Sequence, residues 1–245
     1  MLTRHLLSVV LLCLCACQSM TQPRKTLVVA SDLDNMPFAG VAEDGTPIGR
    51  DVEMMQQLCQ RAGLELTWSR MPFDQLLTSV ESGKVDAVCA TLGITAERAE
   101  RVLFSQCYYD TEIAVVVRAG TDEPTTLQEL AGKRVTGGVG TTSARAIRNH
   151  LPDAHGVFEN KEGVSAMYRL LTRDIDGAVM DGPAAAKLVT EAAGKLRRIA
   201  APLDRERYAL ALPKSHIEVL ARLDRALQQM RESGALRALN RRHGL

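Results

Sequence analysis

One arginine stands where its side chain could hold a carboxylate. Arg98 follows Thr95, whose hydroxyl is suited to cap a helix over 96–101 by accepting a bond from a free backbone N–H. A guanidinium presents two parallel donors that match the two oxygens of a carboxylate, such as the α-carboxylate of an amino acid. The alternative is an arginine on the helix surface, paired with Glu97.

One acid stands where it could hold a cation. Asp181 ends the apolar run 177–180, which has the length and composition of a buried strand. A carboxylate at the end of such a strand needs a cationic or N–H partner. The alternative is an N-cap for the helix that begins at Gly182-Pro183, and both roles are compatible.

A glycine-rich turn precedes a helix in the middle of the chain. Gly140, Thr141, Thr142 and Ser143 open a predicted helix over 143–150, and the free N–H groups of a helix start attract anions. The segment from Gly138 is one residue away from the dinucleotide pattern G-x-G-x-x-G, because serine replaces the third glycine. We therefore favour an anion contact over a nucleotide site.

Elements that alternate along the chain must position these residues. Strand-like runs at 26–31, 64–68, 86–90, 112–117, 133–136, 177–180, 196–200 and 208–212 are separated by helical patterns. Two of the helical patterns are at 51–63 and 73–80. The second begins at Phe73, which could face a ligand or simply open the apolar stripe. Such alternation predicts an α/β fold of parallel sheets with helices on both faces.

Composition narrows the function classes. The 245 residues carry a net charge of +1, which argues against a nucleic-acid partner. The spacing of cysteine and histidine fits no metal site, and no G-x-S-x-G is present, so we expect neither metal nor cofactor. Cys59, Cys89 and Cys107 allow one disulfide at most, and small buried thiols are the favoured interpretation.

The order and spacing of several segments resemble bacterial extracellular solute-binding protein family 3, the amino-acid-binding proteins of ABC importers. The segments are Leu27–Asp32 with Pro37-Phe38, Ile48–Glu53, Gly83–Ala87, Ile94–Arg98, Phe104-Ser105 with Tyr108-Tyr109, Leu130–Val135, Gly140–Ser143 and Ala178–Asp181. The resemblance covers roughly residues 25–245. It implies a type II two-lobed fold with the ligand between the lobes, no catalysis, and a permease as partner. Lobe I would span 25–110 and 205–245, and lobe II 111–204, with hinges near 108–112 and 203–207.

The resemblance also implies roles for individual residues. Arg98 would bind the ligand's α-carboxylate and Asp181 its ammonium, while Thr141 and Thr142 would contact the ligand from lobe II. Phe73 would pack on the ligand side chain. Asp32 and Asn35 follow the first strand and could contact a polar ligand group or only cap a turn.

The sequence departs from the family pattern at four positions, one of which is Met180, where a polar residue can precede Asp181. Gly93 stands where serine or threonine commonly binds the ligand, and Thr91 stands where glycine or serine is usual. Asn35 replaces a common aromatic residue. The expected anchors for the two charged ends of the ligand remain, so the change concerns the pocket for its side chain.

The first residues resemble the leader of an exported lipoprotein. Arg4 and His5 precede an apolar run over 6–16, which is too short to cross a bilayer as a helix. The run ends in Leu14-Cys15-Ala16-Cys17, which predicts cleavage of the signal peptide 1–16 and lipidation of Cys17. A polar linker to residue 24 follows. Gln18 favours the outer membrane as the site of the anchor, and we expect a periplasmic monomer. The alternative is an ordinary signal peptide.

Two other functions remain open. A cyclohexadienyl-dehydratase-like enzyme of the same fold would need a general acid in the cleft, for which Asp32, Asp34 and Glu162 are candidates. An accessory or sensor subunit would keep the fold with a changed or vestigial pocket.

Overall fold

A computed structural model describes residues 25–159 and 165–245. The strands are β1 (Thr26–Ser31), β2 (Gly40–Val41), β3 (Pro47–Ile48), β4 (Glu65–Arg70), β5 (Ala87–Val88), β6 (Leu103–Phe104), β7 (Tyr109–Arg118), β8 (Arg134–Gly138), β9 (His155–Glu159), β10 (Gly177–Asp181), β11 (Leu196–Arg198), β12 (Asp204–Tyr208) and β13 (Ala211–Leu212). The helices are α1 (Arg50–Ala62), α2 (Phe73–Glu81), α3 (Ala96–Arg101), α4 (Thr142–His150), α5 (Ala166–Leu171), α6 (Gly182–Glu191), α7 (Ile217–Glu232) and α8 (Ala235–Arg242).

The first sheet has the order β4-β1-β5-β13-β6 and is covered on both faces. Side chains alternate along a strand, so β1 serves two cores. Leu27 and Val29 pack in the core beneath α1, α7 and α8, whereas Ala30 packs in the core beneath α2. We call this sheet with its helices lobe I.

The second sheet has the order β11-β7-β10-β8-β9, and β12 also pairs with β7. Along β7, Val115 and Val117 pack in the core that contains α4, while Ala114 and Val116 pack in the core that contains α5 and α6. We call this sheet with its helices lobe II. The expected α/β class is confirmed, with one correction. The sheets are mixed, because β13 runs antiparallel to β5 and β7 runs antiparallel to β10.

The chain passes between the lobes twice, through β7 and through β12. The two strands pair antiparallel from Asp204↔Ile113 to Tyr208↔Tyr109, so the crossings lie side by side. The prediction of one strand over 208–212 is wrong, because the chain forms β12 and β13 on either side of residues 209–210. The expected lobe boundaries, 110/111 and 204/205, fall inside β7 and β12.

A buried arginine fastens the crossing to lobe I. Arg50 is fully buried and donates to Asp51 Oδ1 at 2.7 Å, to Asn240 Oδ1 at 3.0 Å and to the Tyr108 carbonyl at 3.2 Å. The Tyr108 hydroxyl donates to the other Asp51 oxygen at 2.8 Å. Helices α1 and α8 and the start of the crossing are therefore joined by one satisfied network.

Several local predictions are confirmed. Helix α1 ends at Gly63, which adopts the left-handed conformation (φ 64°) that favours glycine. The Thr95 hydroxyl accepts from the backbone N–H of Arg98 at 3.1 Å and caps α3. Strand β9 was not predicted, because 155–159 has little β-branched character.

The three cysteines among the described residues are free thiols. Cys59 and Cys89 are buried free thiols and Cys107 is a partly buried one. Burial raises the pKa of the Cys59 thiol to about 11. In 25–159 and 165–245 there is no helix with both the length and the apolar character that a membrane crossing requires. The signal peptide 1–16, Cys17 and the linker lie outside the described residues, as does Glu162.

Candidate functional site

Arg98 lies between the lobes. Helix α3 projects it from lobe I, and its side chain is 7% exposed. One terminal nitrogen donates to the Gly93 carbonyl at 2.7 Å, and the other donates to the Gly140 carbonyl at 2.8 Å. Gly93 belongs to lobe I and Gly140 to lobe II, so the guanidinium bridges the cleft. Two of its five donors are used in this way.

The turn before α4 faces Arg98 from lobe II. Thr141 caps α4, since its hydroxyl accepts from Ala144 N at 3.2 Å and donates to the Gly138 carbonyl at 2.6 Å. Gly140 has φ 74°, which aims its carbonyl at Arg98 at no steric cost. Thr142 is buried and turns its hydroxyl toward the crossing strand β12. Arg98 and the turn before α4 therefore face each other across the cleft.

Asp181 ends β10 in lobe II and does not cap α6 through its side chain. Its Oδ2 accepts from the Tyr208 hydroxyl at 2.5 Å. Tyr208 is fully buried in the lobe I core, stacked on Tyr109 with 5.9 Å between ring centroids and edge-on to Phe38. A rigid aromatic residue of one lobe thus holds the carboxylate of the other.

A second acid, Glu206, was missed by sequence analysis. It lies on β12 in the same phase as Tyr208, and both side chains point inward whereas Arg205 and Arg207 are exposed. Its Oε1 accepts a hydrogen bond from the Thr142 hydroxyl. Its Oε2 is buried without a hydrogen-bond partner in the described part of the chain. Alternation in the segment DRERY was the available signal, but charged residues on an alternating strand are normally assigned to solvent.

Glu206 explains why residue 93 is glycine. A Cβ built on Gly93 would collide with Glu206 Oε1 and would approach the Thr142 Cγ2 to 2.9 Å. Gly93 also forms an isolated antiparallel bridge with Tyr208, which keeps the two backbones close. The carboxylate of Glu206 therefore fills the space in which a side chain on residue 93 would lie.

The charges of the site are shifted by burial and by one another. Burial, and then the nearby Asp181, raise the pKa of Glu206 to about 8. Burial also raises the pKa of Asp181, although the Tyr208 hydroxyl opposes this. Burial lowers the pKa of Arg98, and Glu206 counteracts this effect. The two carboxyl groups beside Arg98 therefore compete for one proton or one cation.

A groove of about 250 Å³ opens beside Arg98. Its lining includes Phe73, Leu92, Thr141 and Thr142. Phe73 is partly buried against the core under α2 and also borders the groove. The groove brings an aromatic ring within reach of whatever binds to Arg98.

The loop after β1 forms a separate polar contact. Asn35 Nδ2 donates to Thr91 Oγ1 at 2.9 Å, and Thr91 is buried with φ 47°. Asp32 lies in the same loop with its carboxyl 3.5 Å from the Ser31 hydroxyl. Burial raises the pKa of Asp32. Asn35 and Thr91 therefore form a pair, while Arg98, Gly93, Thr142, Asp181 and Glu206 form the central cluster.

Two sheet-based lobes joined by paired crossing strands, with charged side chains facing each other across the cleft, define a two-lobed solute-binding protein. The family model of "Bacterial extracellular solute-binding proteins, family 3" matches residues 27–245. The chain belongs to this family, as its sequence motifs indicated.

Three comparisons show the range of relatives. The histidine-binding periplasmic protein of Escherichia coli K12 is 26% identical over 223 residues, covering 88% of this chain and 86% of that protein. The L-cystine-binding protein TcyJ of the same strain is 28% identical over 218 residues, covering 89% and 82%. The solved structure of an ancestral arginine-binding protein bound to arginine superposes with a TM-score of 0.81 at 27% identity, covering 90% and 98%. The two-lobed fold is confirmed.

Proposed function

We propose that this chain is a periplasmic amino-acid-binding protein that delivers its ligand to an ABC importer. Its family membership and the names of its relatives support an amino acid as the solute. The observation that carries the proposal is Arg98, a nearly buried guanidinium that joins the two lobes at the cleft.

Arg98 would bind the α-carboxylate of the ligand. Three of its N–H donors make no hydrogen bond to another described residue, and a bidentate carboxylate contact needs two donors. The N–H groups at the start of α4 lie on the other side of the cleft and carry no intrahelical partners. A carboxylate placed between them would contact both lobes.

Asp181 would accept the ligand's ammonium. The hydrogen bond from the Tyr208 hydroxyl occupies one carboxylate oxygen of Asp181 and leaves the second oxygen for the ammonium. Asp181 lies in lobe II, opposite Arg98 in lobe I. Phe73 would pack on the ligand side chain, while Thr142, Thr91, Asn35 and Asp32 would set the polarity around it. Because Gly93 has no side chain, it would leave space for the Glu206 carboxylate.

Contact with both lobes would favour the closed arrangement, because a ligand shifts the equilibrium only by its differential affinity for the two states. We propose that the lobes, 25–110 with 205–245 and 111–204, move about β7 and β12. The paired crossings limit that motion to bending and twisting of a two-stranded ribbon.

We propose export of the protein as a lipid-anchored monomer, with Cys17 as the anchor. Substitution of Cys17 by serine should abolish incorporation of a radiolabelled fatty acid and release the protein from the membrane fraction. Membrane association that survives the substitution would contradict the anchor.

The test of the function is a thermal-shift screen against the common amino acids. A ligand at 100 times its Kd adds about 2.7 kcal/mol to the free energy of unfolding, which is readily measured. A clear shift with one class supports the proposal. No shift with any amino acid would contradict it and favour an accessory subunit.

A second candidate function follows from Glu206. A buried carboxyl with a pKa of about 8 is protonated at neutral pH and could act as a general acid. A dehydratase-like enzyme would use it to protonate the hydroxyl of a hydroxycyclohexadienyl carboxylate, which leaves as water while the ring carboxylate leaves as CO2 and its C–C electron pair completes the aromatic ring. Aromatic product formed from such an acid, and lost with Glu206→Gln, would favour this function. Tight equilibrium binding of an unchanged amino acid would count against it.

A further inference from the structure

Glu206 carries the further inference, which rests on the proposed function and concerns the class of ligand. Its side chain is 5% exposed and comes from β12, a crossing between the lobes. The Thr142 hydroxyl donates a hydrogen bond to Glu206 Oε1, and this oxygen fills the space beside Gly93. The other oxygen is buried and meets no N–H or O–H donor among the residues described, so the carboxyl of Asp181 can bond it only by sharing a proton.

A buried carboxylate oxygen without a donor is unfavourable, because the group has lost its water without a replacement. Glu206 lies between Gly93 of lobe I and Thr142 of lobe II, beside the carboxyl of Asp181. The missing donor can therefore be a proton shared with Asp181 or a group that enters the cleft. Without a ligand, the pair of acids can hold one shared proton instead.

The charged neighbours of Glu206 do not supply that donor. Arg98, from α3, directs its bonds to two backbone carbonyls and forms no ion pair with Asp181 or Glu206. The Tyr208 hydroxyl of β12 donates to Asp181. Arg145 of α4 lines the same groove as Arg98, pairs with Asp204 at 3.8 Å through a terminal nitrogen, and has a buried Nε that makes no hydrogen bond to another described residue. With both acids ionised, the cluster of Arg98, Asp181 and Glu206 has a net charge of −1.

We propose that Glu206 contacts the ligand and makes the cleft selective for amino acids of net positive charge. Oε2 accepts a hydrogen bond from an ammonium or guanidinium group of the ligand. This cationic group replaces the proton that Glu206 shares with Asp181. A ligand of net charge +1 neutralises the cluster. A neutral amino acid would leave a buried negative charge or require the proton to stay.

Ligand binding depends on pH, because the cationic group of the ligand replaces a proton. Burial and Asp181 raise the pKa of Glu206 to about 8, and a bound cation lowers it. Binding of the cation therefore releases a proton below pH 8. The affinity rises with pH by up to about tenfold per pH unit and levels off above pH 8.

The experiment is isothermal titration calorimetry of the purified protein with matched pairs of amino acids. L-Arginine is compared with neutral L-citrulline, and L-ornithine with neutral L-norvaline, at pH 6, 7 and 8.5. Buffers of different ionisation enthalpy at pH 7 report the number of protons released. Glu206→Gln is measured beside Asp110→Asn, which removes an exposed carboxylate from the neighbouring crossing.

At least one cationic probe should bind wild-type protein at least about 30-fold more tightly than its neutral partner, with release of up to one proton. Glu206→Gln should remove both the preference and the proton release, and Asp110→Asn should keep both. Neutral probes that bind as tightly as cationic ones, without proton release, overturn this inference but leave the proposed function intact. Failure of every common amino acid to bind overturns both. Because proton release is measured on wild-type protein, the test does not depend on the folding of a variant.

Discussion

Two buried charge clusters in this molecule differ in how completely they are satisfied. At the crossing in lobe I, the Arg50 guanidinium is bonded through all three nitrogens, and both oxygens of Asp51 have donors. In the cleft, one oxygen of Glu206 meets no N–H or O–H donor among the described residues and lies beside a second acid, Asp181. A satisfied cluster holds structure together, and we propose that the incompletely satisfied cluster between the lobes is completed by a ligand.

The largest expected effect concerns the satisfied cluster. Arg50→Leu should lower the free energy of unfolding by about 3–5 kcal/mol, because Asp51 is left as a buried unpaired charge. Urea denaturation measures the loss, and Arg61→Leu on the exposed side of α1 is the control. A loss below about 1 kcal/mol would mean that the cluster does not hold lobe I together.

The corresponding change in the cleft should affect binding instead. Arg98→Ala should weaken amino-acid binding by at least about 100-fold, since each hydrogen bond to a charged group contributes about 1.5–3 kcal/mol. Its effect on stability should be smaller than that of Arg50→Leu. Calorimetry compares it with Glu100→Ala, an exposed change on the same helix. Wild-type affinity in Arg98→Ala would refute the assigned role.

The steric relation between Gly93 and Glu206 can be tested by combining substitutions at the two positions. Gly93→Ser should destabilise the protein by about 1–3 kcal/mol and weaken binding, because the new side chain overlaps Glu206. Adding Glu206→Ala should restore stability and shift preference toward neutral amino acids. Equal effects of Gly93→Ser with and without Glu206 would show that the two positions are independent.

The smallest effect is the dependence of stability on pH. The pKa of Glu206 is raised in the folded state, so the folded protein binds more protons than the unfolded chain between about pH 4.5 and 8. Without ligand, the contribution of Glu206 to stability is therefore fully present below this window and is lost as pH rises through it, by on the order of a few kcal/mol at most. Glu206→Gln should flatten this slope in thermal unfolding scans. An unchanged slope would mean that a group other than Glu206 causes the pH dependence of stability.

The sequence identified the parts of the site that depend on local context. Arg98 was found because its capped helix is a local pattern, and the turn at Gly140 because glycine and threonine precede a helix. Glu206 was not found, since its burial depends on the pairing of β12 with β7, and the sequence suggested a strand that began only at Tyr208. The change at Gly93 was visible, but its cause lies on a distant strand that folding brings beside it.

The most direct test is a crystal structure of the protein with L-arginine or L-ornithine, whichever binds more tightly. We expect the α-carboxylate on Arg98 and a cationic group of the ligand within hydrogen-bond distance of Glu206 Oε2, with the lobes closed over it. A ligand bound elsewhere, or bound in the cleft with no contact to Arg98 and Glu206, would contradict this expectation.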